Sequence, residues 1–146
     1  MTSDSDILIL AKRFRCAIET TPKSMLPLGF AEFPSGSCAD ASIILGAYLH
    51  DQGHGSFALF RGSRGRMDDG TYGTHAWLIQ DDLIVDITAD QFDDVDPAVI
   101  VSRDSKWHNQ FRTEGRNVAH FNTYDDRTRG GLSGAYRTVL DTLNAT

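Results

Sequence analysis

Cysteine and long hydrophobic runs are both scarce in this chain of 146 residues. Its two cysteines, Cys16 and Cys38, are fewer than a disulfide-stapled secreted scaffold normally carries, so reduced thiols in a cytoplasmic protein are expected. An apolar run such as residues 7–10 is far shorter than the roughly 20 residues that cross a bilayer, so no membrane association is expected. The acidic N-terminus, residues 1–6, does not resemble a secretory signal, whose first residues are basic.

Basic residues are also in deficit, with 14 Lys and Arg against 20 Asp and Glu, a net charge of −6 and a pI near 5.2. Nucleic-acid-binding proteins normally present a basic face, so no nucleic-acid partner is expected. No C-x-x-C pair occurs, and neither His108 nor His120 has a metal-ligand spacing to a cysteine, which predicts no zinc site and no cofactor. The acidic clusters match no calcium-loop pattern, and we interpret them as solvated loops.

Hydrophobic periodicity predicts helices at both ends of the chain and strands in the middle. Apolar residues recur at helical spacing in three segments, which predicts helices over residues 4–20, 38–52 and 131–144. Short apolar or alternating segments predict strands over residues 56–61, 74–80 and 83–89, with one or two more within 99–124. Helices combined with an antiparallel run of strands favour the α+β class, and the length suits one domain over residues 1–146.

Cys38 stands where a glycine-containing loop ends and the second predicted helix begins. The unsatisfied backbone N–H groups at a helix start favour a thiolate, and the same groups could hold the oxyanion that develops during acyl transfer. Ser37 can cap this helix and is a candidate for contact with a substrate or oxyanion. The alternative is that Cys38 is a small buried hydrophobe, the common fate of a free cysteine. Cys16 lies within an ordinary amphipathic helix, and we interpret it as structural.

The two strands over residues 74–80 and 83–89 carry a histidine and an aspartate whose spacing can be worked out. If residues 81–82 form a two-residue turn, Gln80 pairs with Leu83 and the ladder continues from there. His75 and Asp86 then lie on one face as diagonal neighbours, with Cβ atoms on the order of 7 Å apart. The opposite face is almost wholly apolar, as a core-facing side should be. A longer turn would move the aspartate out of reach.

This pairing is more informative than either residue alone. Asp86 lies in an otherwise apolar strand, where a carboxylate needs a partner to offset its desolvation, and His75 is the nearest candidate. Alone, His75 would be interpreted as a half-buried strand histidine. Trp77 is a candidate groove wall that could cover the reactive sulfur, or simply a core residue. Gln91 could contribute an oxyanion donor, or it could be an ordinary solvated side chain.

The segments around these residues resemble the transglutaminase-like cysteine enzymes. The resemblance covers roughly residues 33–92 and depends on GSCADAS (36–42), LGAYL (45–49), FRG (60–62), THAWL (74–78) and IVDIT (84–88). The first three look like the nucleophile helix and following strand of that family. The last two are similar to its histidine strand and to its closing V-D-x-T strand.

The resemblance implies a papain-like fold in which a nucleophile helix packs on an antiparallel sheet. It implies that Cys38 is the nucleophile, His75 the general base and acid, and Asp86 the residue that orients the imidazole. The helices over 4–20 and 131–144 would then be additions to this core. The accessory domains of the large calcium-dependent members are absent from the chain, so small bacterial amidases and peptidases are the closer comparison.

The expected function is cysteine-dependent acyl transfer on a peptide or protein amide, through a thioester on Cys38. Hydrolysis of the amidase or thiol-protease type is the first expectation, and transamidation is the other fate of the same thioester. A second hypothesis is a non-catalytic member of the same fold that binds a protein or peptide. A third is a cell-wall peptidase with a Cys-His-polar triad, although such proteins are generally exported.

Overall fold

A computed structural model describes residues 3–145; Met1, Thr2 and Thr146 lie outside this range, the first two within the acidic N-terminal run. The α-helices are α1 (Asp4–Thr20), α2 (Cys38–Asp51), α3 (Lys106–Asn109) and α4 (Asp126–Asn144). The strands are β1 (Ala58–Arg64), β2 (Gly73–Gln80), β3 (Leu83–Asp86), β4 (Ile100–Ser102) and β5 (Arg112–Val118). They form one antiparallel sheet in the order β4-β3-β2-β1-β5, which confirms the α+β class. Within residues 3–145, no helix combines the length and the apolar character that spanning a bilayer requires.

Helix α1 has the boundaries that its sequence predicts. The Ser3 side chain accepts a hydrogen bond from the Asp6 N–H at 3.1 Å, and acidic residues in the first turn complement the helix dipole. The helix ends at Thr20 because Thr21, which precedes Pro22, is extended.

Residues of the two terminal helices lie within the main buried core. Phe14 of α1 stacks on Tyr48 of α2, with ring centroids 5.0 Å apart, and lies 6.4 Å from the ring of Tyr136 of α4. Helix α2 contacts both the sheet and these helices, and it is buried on all sides over residues 41–49. Burial of α2 on all sides therefore requires α1 and α4.

Helix α4 begins five residues before the predicted start at Gly131. Asp125 is its N-cap, and the Asp125 carboxylate accepts a hydrogen bond from the Thr128 N–H at 2.9 Å. The acidic pair at 125–126 is thus a helix start rather than a solvated loop, because a capping carboxylate and a first-turn aspartate both stabilise the helix N-terminus.

The β2–β3 hairpin has the predicted two-residue turn and register. Gln80 pairs with Leu83, and Asp81 has the positive φ of 54° that such a turn requires. Strand β3 ends at Asp86 rather than at residue 89, because residues 89–91 form a 3₁₀ turn.

The sheet has a buried cluster on each face. The face toward α2 carries the alternating apolar residues that the hairpin arithmetic assigned to the core: Ala76, Leu78, Leu83, Val85 and Ile87. The other face carries a smaller aromatic-rich cluster around Trp77, Ile84 and Phe111, against which Trp107 packs. The short helix α3, which the sequence did not predict, lies within the segment that closes this second face.

Arg15 joins α1 to the backbone that follows β3. Its guanidinium donates to both carboxylate oxygens of Asp90, at 2.7 and 2.9 Å, and to the Ile87 carbonyl at 2.6 Å, although the residue is only 6% exposed. A bidentate pair of this kind fixes geometry as well as charge. It holds the turn immediately after Asp86.

Candidate functional site

Cys38 is the first residue of α2 and is half-buried. Gly36, two residues earlier, has a φ of 73°, a conformation that favours glycine. Ser37 occupies the N-cap position, but its hydroxyl donates to the Pro34 carbonyl at 3.3 Å and makes no capping hydrogen bond. The expected Ser37 cap is therefore wrong. The first N–H groups of a helix lack intrahelical acceptors, so this arrangement leaves the α2 N-terminus suited to an anion.

His75 and Asp86 form a buried hydrogen-bonded pair on the face that the hairpin register predicted. His75 Nε2 lies 2.7 Å from Asp86 Oδ2, and the two residues are 2% and 0% exposed. A carboxylate only accepts hydrogen bonds, so Nε2 carries the proton and donates it. Nδ1 is then the nitrogen of His75 that is available for proton transfer.

The Cys38 side chain completes this set from α2. It lies near enough to the His75 imidazole to contribute to the raised pKa of that residue. Cysteine, histidine and aspartate are thus brought together by three different elements, α2, β2 and β3, in the order that the sequence predicted. Such a grouping could supply a nucleophile, a base and an orienting group.

A second histidine, which the sequence did not predict, also binds Asp86. His108 Nε2 lies 2.7 Å from Asp86 Oδ2, the same oxygen that accepts from His75. The other oxygen, Oδ1, accepts from the Thr88 N–H at 2.9 Å. His108 is 3% exposed and belongs to α3. Three donors therefore surround a fully buried carboxylate.

Each charged group of the buried pair shifts the pKa of the other toward the charged form. Burial disfavours the charged form of His75, but the charge and hydrogen bond of Asp86, together with Cys38, raise the pKa of His75 to about 9. Burial acts against the Asp86 anion too, yet His75 and His108 hold the pKa of that carboxyl well below its usual range. Near neutral pH, the pair is therefore an imidazolium and a carboxylate.

Aromatic rings enclose the His75 imidazole. The ring centroids of Phe92, Trp77 and Trp107 lie 5.1, 5.6 and 5.7 Å from that of His75. Trp77 is only 3% exposed, so it forms a wall of the imidazole pocket rather than an open groove. This apolar surrounding lowers the local dielectric and strengthens the interaction between His75 and its charged partner.

Gln91 contacts His75, which differs from the oxyanion role considered for it. Its Nε2 donates to the Thr88 carbonyl at 3.1 Å and lies 3.3 Å from His75 Nδ1, to which it can donate only when that nitrogen carries no proton. The Thr88 carbonyl fixes the orientation of the amide, because the amide oxygen could not face another acceptor. Gln91 would have to leave His75 before it could bind an oxyanion.

Among residues 3–145, two sets of side chains have ligand atoms close enough together to hold a metal ion. In the first, His75, Asp86 and His108, both imidazoles direct an Nε2 proton at one carboxylate oxygen, and a cation would have to displace both protons. In the second, on the surface around His50, His120 Nδ1 accepts from the Asn122 N–H at 3.1 Å. That contact puts the ring proton on Nε2 and opposes coordination there. Hydrogen bonding accounts for the first set without a metal.

Comparisons with models of protein families, with curated proteins and with solved structures gave no match to this chain. The resemblance to transglutaminase-like enzymes therefore stays a prediction, and the functional argument depends on the geometry of the site.

Proposed function

We propose that this protein is a cysteine hydrolase or acyltransferase that acts on amide bonds through a thioester on Cys38, with a transglutaminase-like, papain-like core. The observation that supports this most directly is the position of His75. Its Nε2 is held by Asp86 at 2.7 Å, and the imidazole also interacts with the Cys38 side chain. An imidazolium beside a thiol favours the thiolate, which is the nucleophilic form.

In the acylation step, the Cys38 thiolate attacks the carbonyl carbon of the amide and a C–S bond forms. The N–H groups in the first turn of α2 stabilise the oxyanion. His75 then gives its Nδ1 proton to the leaving amine as the C–N bond breaks. The products are a thioester on Cys38 and a free amine.

Water resolves the thioester in the second step. His75 Nδ1 accepts a proton from water as the C–O bond forms, the C–S bond breaks, and the Cys38 thiolate leaves beside the imidazolium. An amine in place of water would give transamidation. Asp86 stays ionised throughout and keeps the imidazole in one tautomer. A peptide or protein amide is the proposed substrate, and a reducing, cytoplasmic location suits a thiol nucleophile.

A non-catalytic, peptide-binding protein is the second candidate. It is favoured by the burial of His75, which is 2% exposed. A general acid must come within hydrogen-bond distance of the leaving group. The enzyme hypothesis therefore requires the substrate to approach from the side of Cys38, which is half-buried.

Alkylation with iodoacetamide, followed by mass spectrometry over a range of pH, tests the proposal without a known substrate. In the wild type, Cys38 should react much faster than an ordinary thiol near neutral pH and below, and this reactivity should disappear in His75→Ala. Exposed Cys16 is an internal control that should not respond to the substitution. Tryptophan fluorescence confirms that the variant is folded. If Cys38 does not react with iodoacetamide, or if its rate of alkylation is the same in His75→Ala, the enzyme hypothesis is refuted and the peptide-binding protein is favoured.

A further inference from the structure

We infer that His108 is a positioning residue of this site, which holds the Asp86 carboxylate in place and moderates its charge toward His75. The inference depends on the proposed function for its catalytic meaning, but the contacts behind it are independent of any substrate. It also assigns a role to the segment between β3 and α4, which shows no functional motif.

The contacts make His75 and His108 equivalent donors to one oxygen. Each Nε2 lies 2.7 Å from Asp86 Oδ2, and both must carry a proton because the carboxylate only accepts. The Thr88 N–H occupies Oδ1. With three donors around it, the carboxylate cannot rotate without losing at least one charge-assisted hydrogen bond.

His108 is itself held rigidly. Its Nδ1 lies 2.6 Å from the hydroxyl of Ser105, the N-cap of α3, and that hydroxyl also accepts from the His108 N–H. The rings of Trp77 and Trp107 pack on it, with centroids 4.7 and 4.8 Å away. Because the His108 side chain is held in this way, it can in turn hold the Asp86 carboxylate in one orientation.

A donor on Oδ2 reduces the charge that this oxygen offers to a second donor. Without His108, the carboxylate would bind the His75 proton more strongly, so His75 would release it only at higher pH. His75 and His108 are the titratable groups that face Asp86, and Cys38 faces His75. The ion pair of Arg64 with Asp94 borders the same aromatic pocket, with the guanidinium over Phe92 and Trp107.

The test compares His108→Gln, which keeps a donor at about the Nε2 position, with His108→Phe, which keeps a ring but no donor. Titration of the His75 ring by NMR should give an unchanged midpoint in His108→Gln. In His108→Phe, the midpoint should rise by about half a pH unit or more.

A purely structural role would lower the stability of His108→Phe and leave the His75 midpoint unchanged, which would overturn the inference. If His108→Phe does not fold, the wild type decides: it should show two far-downfield ring N–H signals, and a single signal would overturn the inference. Stoichiometric zinc that is lost in His108→Gln would also overturn it, since the three side chains would then be ligands. The His75 titration needs no activity, so failure of the inference and failure of the proposed function are distinguishable.

Discussion

Replacement of Asp86 by asparagine removes one charge from the centre of the site and hardly changes its volume. The amide cannot satisfy the three donors that surround the carboxylate. If its oxygen faces His75 and His108, its NH₂ group meets the Thr88 N–H. If it is reversed, the NH₂ group meets two imidazole N–H donors. In either orientation a donor faces a donor, and the charge that keeps His75 protonated is lost.

The size of the effect on stability follows from the pKa of His75, which is about 9 beside Asp86 and 6.5 for an ordinary histidine. A difference of roughly 2.5 pH units corresponds to about 3 kcal/mol of folding free energy. Because the pKa is raised in the folded state, this stabilisation is complete below about pH 6.5 and is lost as the pH rises through about 9. In Asp86→Asn, burial still favours the neutral form of His75 and only Cys38 still opposes it, so most of the loss of stability at high pH should disappear.

Urea unfolding, followed by tryptophan fluorescence at about pH 6 and about pH 9.5, measures this effect. The difference between wild type and Asp86→Asn should be larger at the lower pH by about 3 kcal/mol. Asp93→Asn is the matched control, since Asp93 is exposed, and it should leave the pH dependence unchanged. Alkylation of Cys38 near neutral pH should also slow in Asp86→Asn, because the imidazole loses its orienting partner.

Once a substrate is known, turnover by Asp86→Asn should fall on the order of 10⁴-fold, the scale expected when a triad aspartate becomes asparagine. The reasoning is refuted if Asp86→Asn keeps the wild-type pH dependence of stability and the wild-type rate of Cys38 alkylation. That result would mean that the charge of Asp86 does not control His75.

Two further substitutions test the packing that supports the site. Arg15→Met should cost about 3–5 kcal/mol in urea unfolding because it leaves a carboxylate and two carbonyls without their donor. Arg13→Met, on the exposed side of α1, should change stability by less than ~0.5 kcal/mol, and similar costs for both variants would contradict the role of Arg15. Gly46→Ala should cost about 1–3 kcal/mol because its Cβ would lie 2.9 Å from the Ala119 Cβ and closer still to that residue's carbonyl oxygen. In Gly134→Ala, the new Cβ meets open space beside α4, so this variant should be more stable than the wild type by up to about 1 kcal/mol. An equal gain in stability for Gly46→Ala and Gly134→Ala would contradict the close contact of α2 with Ala119.

Local sequence patterns were sufficient to predict helix α1 and the β2–β3 hairpin. The apolar repeat and the Ser3 cap define α1 over residues 4–20, since a helix this long carries several turns of periodic signal. The alternation of residues 74–80 and 83–87 defines two faces, and the two-residue turn sets their register. These features depend on residues close together in the chain.

Short elements and ends were less predictable. The four residues of α3 make about one turn, too short for a periodic pattern, and this is why His108 was not recognised as a site residue. The predicted start of α4 at Gly131 is too late because the apolar repeat of this helix begins only at Leu132. No sequence pattern indicates that the Ser37 hydroxyl donates to the Pro34 carbonyl, or that the Gln91 amide lies against His75.

The sequence alone determined that Cys38 begins a helix and that His75 and Asp86 share one face of a hairpin. Backbone geometry imposes both, because helices repeat every 3.6 residues and strands every two. Only the tertiary structure decided that α2 brings Cys38 to His75 and that His108, 22 residues beyond Asp86, binds the same carboxylate oxygen. Proximity between distant segments depends on the order of the strands and on the packing of α2 against the sheet. The burial that sets the charges of the site arises only when those layers close together.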